Sequence, residues 1–312
     1  MTAIPPRVVR GQTIGIVAPA GPVKPERLRR GLERFGDAFQ LRIAPSVTAP
    51  HPDGVPSYLA ASDEVRASEL TQMLRDPDIR AIVLARGGYG IVRILPLLDP
   101  QLLARDPKPI VGFSDGTALL AWAYAAGVRG IHGPMIAQLP DLGPGDTAQL
   151  IEMLTDPTPA GVRRWQLAVH GTGTARGHLV AANLTIAAML VGTPWALPLA
   201  GAIALVEDVG ERPYELDRYV MHLAQTGALA DTAAVIVGDL ARCVDPNPPT
   251  GVPDPEGAAL ATMVERITAA GVRSATGAPI GHGDRNEPIA FGARAALDLD
   301  AGAFEILDGA VA

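Results

Sequence analysis

A serine flanked by glycines is the first residue of this sequence whose type and spacing suggest chemistry. The segment Gly112-Phe-Ser-Asp-Gly116 fits the G-x-S-x-G pattern, in which a serine lies on a sharp strand-to-helix turn with its hydroxyl exposed. Ile110 and Val111 favour a strand before it, and residues 117–126 favour a helix after it. A serine after a strand is also commonly a helix N-cap, although a cap does not require both glycines. Ser114 is therefore a candidate nucleophile.

A nucleophilic serine needs a base, and His282 is the best placed of the six histidines. It lies in the loop Pro279–Asn286, with Gly281 before it and Gly283 after it. Glycine on both sides lets the backbone approach another element closely, which a buried structural histidine rarely needs. Because loop residues of this kind often carry function, we predict that His282 takes the proton of the serine.

A carboxylate that orients the imidazole is the third requirement. The apolar residues Ala204-Leu-Val206 run directly into Glu207, and Glu211 follows after a glycine turn. An acid at the end of a buried strand is costly unless it is paired. Capping of the next helix, or pairing with Arg212, would account for these acids without catalysis. For orienting an imidazole, Glu207 is the better candidate because it follows the strand directly.

An oxyanion hole requires two backbone N–H groups that point at one position. The N–H of Asp115, directly after the serine, is one candidate, and the glycines of Arg86-Gly-Gly-Tyr-Gly90 can present another without a Cβ in the way. This segment lacks the spacing of the glycine-rich phosphate-binding motifs. The sequence also lacks the spacings typical of a catalytic metal site. We therefore predict metal-free hydrolysis that uses no cofactor.

The first 133 residues alternate strands and helices, which predicts a doubly wound parallel sheet. Ligand sites in such sheets lie at the carboxyl ends of the strands, so residues 86–90 and Ser114 are expected to be neighbours. The predicted strands are 13–18, 41–43, 79–84, 110–113 and 130–132. The predicted helices are 24–35, 62–74 with Ser62 as N-cap, 92–98 and 117–126.

Turn residues dominate from about 139 to 176, which indicates a linker between domain 1–138 and domain 177–312. The second domain has predicted strands at 203–206 and 233–237 and predicted helices at 184–191, 213–224 and 256–269. Residues 295–307 alternate around a glycine turn, which predicts an antiparallel hairpin. The proline-rich residues 244–255 are interpreted as a surface connector, with a loop near the active site as the alternative. The fold class is therefore α/β, with a parallel sheet in the first domain and antiparallel strands in the second.

The three candidate catalytic residues occur in the order Ser114, Glu207, His282. This is the nucleophile–acid–base order of α/β-hydrolases. The serine falls in the first predicted domain, whereas the acid and the base fall in the second. We therefore expect the site in the cleft between the domains.

Composition excludes several functional classes. The 312 residues are 48% hydrophobic and carry a net charge of −7, which argues against binding to nucleic acid or to an anionic membrane. The single cysteine, Cys243, excludes an intrachain disulfide framework. The N-terminus lacks a signal-peptide pattern, and no apolar run is long enough to cross a membrane. We expect a cytoplasmic protein.

Together these motifs resemble those of the LD-carboxypeptidases, a family of serine peptidases with a Ser-Glu-His triad that also contains the microcin C self-immunity peptidases. The resemblance extends over nearly the whole chain. The segments that carry it are Ile16–Pro22, Arg86–Gly90, Val111–Asp115, Ile131–Pro134, Asn183–Thr185, Val206–Tyr214 with Asp217 and Arg218, and Gly281–Asp284.

The resemblance implies that Ser114 is the nucleophile, Glu207 the acid and His282 the base, with the N–H groups of Gly88 and Asp115 as oxyanion donors. It implies a Rossmann-like N-terminal domain, a distinct C-terminal domain and a homodimer. The implied reaction is release of terminal D-alanine from murein tetrapeptides in cell-wall recycling. The alternative substrate, as in the self-immunity relatives, is a peptidyl- or aminoacyl-nucleotide.

Four features bear on the substrate. Arg86 is a candidate to bind a terminal carboxylate through its guanidinium group. Trp165 and Trp195 are candidates to stack on a nucleobase, although aromatic side chains more often pack in cores. The sequence departs from the family pattern at Ala181-Ala182, where a double glycine is common, and at Ile280, where an aromatic residue is common. The departures bear on the identity of the substrate more than on the chemistry.

Overall fold

The structure is a computed structural model that describes residues 2–248 and 257–312. Contacts divide the chain into two units. The first contains the residues up to 159 together with 287–292 and 308–312, and the second contains 160–286 and 293–307. Each unit combines helices with a sheet, which confirms the predicted α/β class. Most of the predicted connector at 244–255, and the first residue of the helix predicted at 256–269, lie outside the described residues.

The first unit is built on a six-stranded sheet. Its strands are β1 (Thr13–Val17), β2 (Gln40–Ile43), β3 (Ile79–Leu84), β4 (Ile110–Gly112), β5 (Gly130–His132) and, from much later in the chain, β12 (Ile289–Phe291). The order across the sheet is β12-β5-β4-β3-β1-β2. All neighbours are parallel except β12, which is antiparallel to β5. The apolar residues of β3 and β4 are buried, as expected for parallel strands covered on both faces.

Seven helices accompany this sheet in the described part of the first unit. They are α1 (Pro25–Phe35), α2 (Pro45–Thr48), α3 (Asp63–Arg75), α4 (Ile91–Ile94), α5 (Pro100–Arg105), α6 (Gly116–Ala125) and α7 (Pro144–Thr155), with short 3-10 turns at Gly36–Ala38, Leu95–Leu97 and Leu139–Asp141. Ser62 caps α3 as predicted, because its Oγ accepts the N–H of Val65 at 3.4 Å. The helix predicted at 92–98 is only one α turn followed by a 3-10 turn, since Pro96 has no N–H to continue it.

A buried lysine fixes where β4 begins. Lys108 is fully buried, and its Nζ donates to the carbonyl oxygens of Leu74 at 2.7 Å and Asp76 at 2.8 Å, at the end of α3. It also forms an ion pair with Asp106 at 3.0 Å. A cation at a helix C-terminus satisfies carbonyl groups that have no partner within the helix. The strand that leads to Ser114 is thereby anchored two residues before it starts.

The second unit is built on an eight-stranded sheet in the order β6-β14-β13-β8-β9-β10-β11-β7. The strands are β6 (Gly161–Arg163), β7 (Ala168–His170), β8 (Thr174–Asn183), β9 (Ala202–Val209), β10 (Ala234–Ala241), β11 (Ser274–Thr276), β13 (Arg294–Asp298) and β14 (Ala303–Ile306). The central strands β8 to β11 are parallel and the outer pairs are antiparallel. The predicted hairpin is confirmed as β13–β14. The helices are α8 (Leu184–Met189), α9 (Pro213–Gln225) and α10 (Ala258–Ala269).

The segment predicted as a linker, 139–176, is structured. It contains α7, the strands β6 and β7, and the start of β8. The two short strands pair with residues far away in sequence, β6 with β14 and β7 with β11. A local sequence pattern therefore does not indicate that these residues form strands. Within the described residues, no helix combines the length and apolar character that a membrane span requires.

Candidate active site

Ser114 lies on a strained turn between β4 and α6. Its φ is +58°, a value that among the described non-glycine residues only Arg242 approaches. The turn is closed by the N–H of Gly116, which donates to the carbonyl of Phe113 at 2.8 Å, and by the N–H of Thr117, which donates to that of Ser114 at 2.9 Å. Positive φ at a non-glycine residue costs of order 1–3 kcal/mol and marks functional sites. The N-cap position of α6 is Asp115, so the alternative reading of Ser114 as a cap is wrong.

The glycines around Ser114 are required by close packing. A Cβ on Gly112 or Gly116 would lie 2.9 or 3.1 Å from Cδ2 of Leu84 in the neighbouring strand. A Cβ on Gly87 would lie 3.1 Å from the Oγ of Ser114. The loop 86–90 therefore touches the serine, as the parallel sheet predicted.

Two backbone N–H groups at this place are available to a ligand. Those of Gly88 and Asp115 donate no hydrogen bond to any other part of the described chain. Gly88 has a φ of +117°, which favours glycine. The side chain of Asp115 ties the turn to the loop, because its Oδ2 accepts the N–H of Ile91 at 2.9 Å. Burial raises the pKa of Asp115 to about 6, against the opposing effects of that N–H and of Arg66.

Arg66 binds the same loop, residues 86–90, through the carbonyl of Gly90. It was not predicted from the sequence. It is almost fully buried on α3. Its Nε donates to the carbonyl of Ala61 at 3.1 Å, and its Nη1 donates to that of Gly90 at 3.0 Å and to that of Pro19. Its Nη2 pairs with Asp63. The Asp63–Arg66 spacing is that of an ordinary surface pair on a helix, and nothing in this pattern indicates that the guanidinium binds carbonyl groups of three loops.

In the second unit, Glu207 and His282 form a hydrogen-bonded pair. Nδ1 of His282 lies 2.6 Å from Oε2 of Glu207. Glu207, on β9, has no exposed surface, and the His282 side chain is 19% exposed. Burial raises the pKa of Glu207, and the hydrogen bond and charge of His282 oppose the rise. With Nδ1–H donating to the carboxylate, the neutral imidazole carries its lone pair on Nε2, which is the form a general base needs.

The loop that carries His282 is held tightly. The N–H of Gly281 donates to Oδ1 of the fully buried Asn286 at 3.1 Å. Gly281 has a φ of +131°, and a Cβ there would lie 3.1 Å from Oε2 of Glu207. The close approach predicted for the flanking glycines is present.

The other acids near β9 have different partners. Asp208 accepts from Nδ2 of Asn183 at 3.0 Å and from the N–H and Oγ1 of Thr185 at 2.9 and 2.8 Å, so it fixes the start of α8. Glu211 accepts from Oη of Tyr219 at 3.1 Å. The N-terminus of α9 is capped by Glu215. Neither capping nor an ion pair with Arg212 accounts for Glu207.

The predicted substrate positions have mixed outcomes. Arg86 is exposed, and its Nη1 donates to the carbonyl of Pro22 at 2.8 Å. Trp165 stacks on Phe304 with ring centroids 4.9 Å apart, which uses one face of its indole. The departures Ala181, Ala182 and Ile280 are all buried.

Comparison with known proteins identifies the family. The family model described as LD-carboxypeptidase N-terminal domain matches residues 14–133, and that described as LD-carboxypeptidase C-terminal domain matches residues 176–297. A putative carboxypeptidase of Streptomyces coelicolor is 36% identical over 96% of this chain and 94% of its own length. The murein tetrapeptide carboxypeptidase of Pseudomonas aeruginosa is 31% identical, over 91% and 92%.

A solved structure extends the likeness to the fold. The crystal structure of the muramoyltetrapeptide carboxypeptidase from Oxalobacter formigenes superposes with a TM-score of 0.80 at 26% identity, covering 95% of this chain and 99% of that one. The residues that these two family models match include Ser114 in the first unit and both Glu207 and His282 in the second. This chain is a peptidase that belongs to the LD-carboxypeptidase family.

Proposed function

We propose that this protein is a serine-type LD-carboxypeptidase that releases the terminal D-alanine from murein tetrapeptides in cell-wall recycling. Ser114 is the proposed nucleophile, His282 the base and Glu207 the acid. The N–H groups of Gly88 and Asp115 are the proposed oxyanion donors. Support for the substrate comes from the relatives that are named for murein and muramoyl tetrapeptides.

The observation that carries the proposal is the 2.6 Å hydrogen bond between His282 and the fully buried Glu207. A buried carboxylate without compensation is destabilising, and here the compensation comes from an imidazole held in one tautomer. This is the arrangement by which an acid orients a base and stabilises its protonated form in serine hydrolases. The strained φ of Ser114 and its contact with Gly87 supply matching support in the first unit.

The proposed reaction proceeds through an acyl-enzyme. His282 takes the proton of Ser114 as Oγ attacks the scissile carbonyl carbon, and the N–H groups of Gly88 and Asp115 donate to the oxyanion. Collapse of the tetrahedral intermediate breaks the C–N bond, and His282 passes its proton to the amine of the departing D-alanine. Water then attacks the ester with His282 as base, and the second collapse returns the proton to Ser114.

Ser114→Ala tests the proposal. Removal of a catalytic serine hydroxyl lowers kcat by roughly 10⁴–10⁶-fold in serine hydrolases, so release of D-alanine from a murein tetrapeptide is expected to fall to near background. Ser68→Ala is the control, because Ser68 is exposed on α3, and its turnover is expected to match the wild type. Undiminished release by Ser114→Ala would rule the proposal out.

The nucleotide alternative is tested with a second substrate. The wild-type protein is assayed in parallel on a murein tetrapeptide and on an aminoacyl sulfamoyl adenylate. A higher kcat/KM on the tetrapeptide is expected, because relatives named for murein and muramoyl tetrapeptides support that substrate. A preference for the adenylate would move the assignment to the self-immunity type of substrate.

Recognition of the terminal carboxylate by Arg86 is part of the proposal, and Arg86→Ala is expected to raise KM more than it lowers kcat.

We also propose that the protein acts in the cytoplasm as a homodimer. The sequence has a single cysteine, Cys243, which cannot form an intrachain disulfide, the bond that is typical of proteins from oxidising compartments. Sedimentation equilibrium is expected to give twice the chain mass of 32.4 kDa. A monomeric mass at micromolar concentration would remove the dimer from the proposal.

A further inference from the structure

We infer that Asp239 is a second carboxylate for His282, a positioning residue that holds the loop carrying the base and favours the protonated form of its imidazole. The inference rests on the proposed role of His282 as base. Asp239 lies on β10, the strand next to Glu207, and sequence reasoning did not single it out.

Asp239 lies in a β-bulge of β10, opposite Glu207. The pairing of β9 with β10 is interrupted between Val237 and Leu240. Two residues of β10, Gly238 and Asp239, therefore stand opposite one residue of β9, which is Glu207. Bulges are uncommon between parallel strands and recur beside active sites, where they redirect a side chain. This one occurs at the level of the carboxylate that binds His282.

The bulge docks the loop that carries the base. The N–H of Asp239 donates to the carbonyl of Ile280 at 2.8 Å. A Cβ on Gly238 would lie 2.5 Å from Cγ1 and 2.7 Å from the carbonyl oxygen of Ile280, so only glycine allows this approach. The extra residue thus releases one N–H from the sheet ladder and uses it to hold the residue two positions before His282.

Both glycines beside His282 contact Asp239. A Cβ on Gly281 would lie 3.0 Å from the Cβ of Asp239, and a Cβ on Gly283 would lie 2.7 Å from its Oδ2. The same Gly281 also approaches Glu207. The backbone around the imidazole is therefore packed between two acids, and the glycines that flank it are explained by Asp239 as much as by Glu207.

The carboxylate is kept at a cost to folding. Its Oδ2 is buried and has no hydrogen-bond partner among residues 2–248 and 257–312, a state that proteins seldom retain without a reason. Burial raises the pKa of Asp239, whereas the charge of His282 and the backbone N–H groups of Gly283 and Leu240 lower it. The attraction to His282 is mutual, so an ionised Asp239 stabilises the imidazolium.

The charges around the imidazole within the second unit are mainly negative. Glu207 on β9 and Asp239 on β10 face it from the sheet, with Asp208 adjacent to Glu207. On its own loop, Asp284 and Arg285 are exposed and screened by solvent. Removal of Asp239 therefore leaves the direct Glu207 bond and takes away one half-buried negative charge.

Asp239→Asn is the test, read as the pH profile of kcat/KM for D-alanine release. Because loss of the charge makes the imidazole harder to protonate, the acidic limb is expected to move to lower pH by roughly half to one unit. At the plateau the rate is expected to fall by about three- to tenfold, since the imidazolium formed in the transition state is less stabilised. A merely structural role would lower the rate at every pH and leave the limb in place.

Three further variants make the result decisive. Asp231→Asn removes an exposed charge before the other end of β10, roughly 20 Å along the strand, and is expected to leave the limb unmoved because the Debye length is about 10 Å. Asp239→Glu restores the charge and is expected to return the limb towards the wild type. Asp239→Ala, which adds no atoms to the half-buried position, gives the charge effect if Asp239→Asn does not fold.

The outcomes separate the two proposals. An unmoved limb in both neutral variants, with Ser114→Ala inactive, overturns the role of Asp239 and leaves the triad intact. An equal shift in Asp231→Asn also overturns it. An active Ser114→Ala removes the proposed function itself, and the role of Asp239 falls with it.

Discussion

The residues of the candidate site are held in states that a folded chain ordinarily avoids. Ser114 has a positive φ, Glu207 is a carboxylate with no exposed surface, and Asp115 is buried beneath the turn. Each state costs stability, because strain and desolvation are compensated only in part by local hydrogen bonds. The surrounding hydrogen bonds and packing contacts hold these residues in conformations and environments that are unfavourable in isolation.

Asp115 makes this cost measurable. Burial raises its pKa from 3.8 to about 6, so the folded state holds the proton of this carboxyl more tightly than the unfolded state does. The stability gained from the protonated carboxyl is therefore fully present below about pH 4 and is lost as the pH rises through about 6. Asp115→Asn removes the titration, and its Oδ1 can still accept the N–H of Ile91. Relative to this variant, the wild type is expected to lose about 3 kcal/mol of unfolding free energy between about pH 4 and pH 8.

Denaturant unfolding at a series of pH values checks this. The difference in unfolding free energy between the two proteins is the quantity to plot, because every other titrating group cancels. A difference that does not change with pH would show that Asp115 titrates normally and that its burial is without consequence.

At the scale of elements, local patterns predicted most of the fold and the pairing of distant segments escaped them. The strand, serine and helix around residue 114 were predicted, because apolar runs and glycines act over a few residues. The strands β6, β7 and β12 were not, because each has three residues and pairs with a partner far away in sequence. The ten-residue strand β8 was not predicted either, and its first residues fall in the segment that was predicted as a linker. For the same reason the contact of Glu207 with His282 was foreseen only by chemistry, and Arg66 and the bulge at Asp239 were missed.

The packing of α1 shows how one glycine fixes an element. A Cβ on Gly31 would lie 2.0 Å from the carbonyl oxygen of Ile136. That segment cannot retreat easily, since the N–H groups of Ile136 and Ala137 donate to the carbonyls of Leu84 and Ala85 at the end of β3. The approach of α1 therefore depends on a residue that helices otherwise disfavour.

Gly31→Ala is accordingly expected to destabilise the protein by about 2 kcal/mol or more, as overpacking does. Gly145→Ala is the matched control in α7, because a Cβ there meets nothing within 4 Å; it is expected to stabilise by up to about 1 kcal/mol. Unfolding free energies of the two variants are compared with the wild type. The same sign of change in both would contradict the packing argument.

At the scale of the whole molecule, three separate segments of the chain form the first unit. After residue 159 the chain builds most of the second unit, returns to add β12 beside β5, leaves again for the β13–β14 hairpin, and comes back with residues 308–312. The last segment is well anchored. Asp308 pairs with Arg129 at 3.0 Å, and the carbonyl of Ala312 accepts the N–H of Arg7 at 2.9 Å.

Two adjacent positions test whether this final segment is part of the core. Val311 is 2% exposed, whereas the side chain of Ala312 is exposed. Val311→Asp is expected to cost about 3 kcal/mol or more, because it buries a charge without a partner, and Ala312→Asp is expected to change stability by less than about 0.5 kcal/mol. Thermal and denaturant unfolding measure both, and equal effects would place the segment outside the core.

The position of β12 also has a consequence for biosynthesis. Ser114 and the strands β1 to β5 leave the ribosome early, but the strand that covers the free edge of β5 follows about 160 residues later, roughly 8–30 s at ordinary rates of translation. During that interval the growing chain presents an open sheet edge, the kind of surface that invites chaperones or misassembly. The sheet that carries the nucleophile is closed only after Glu207 and His282 have been synthesised, so a partly made chain displays the serine before its sheet is finished.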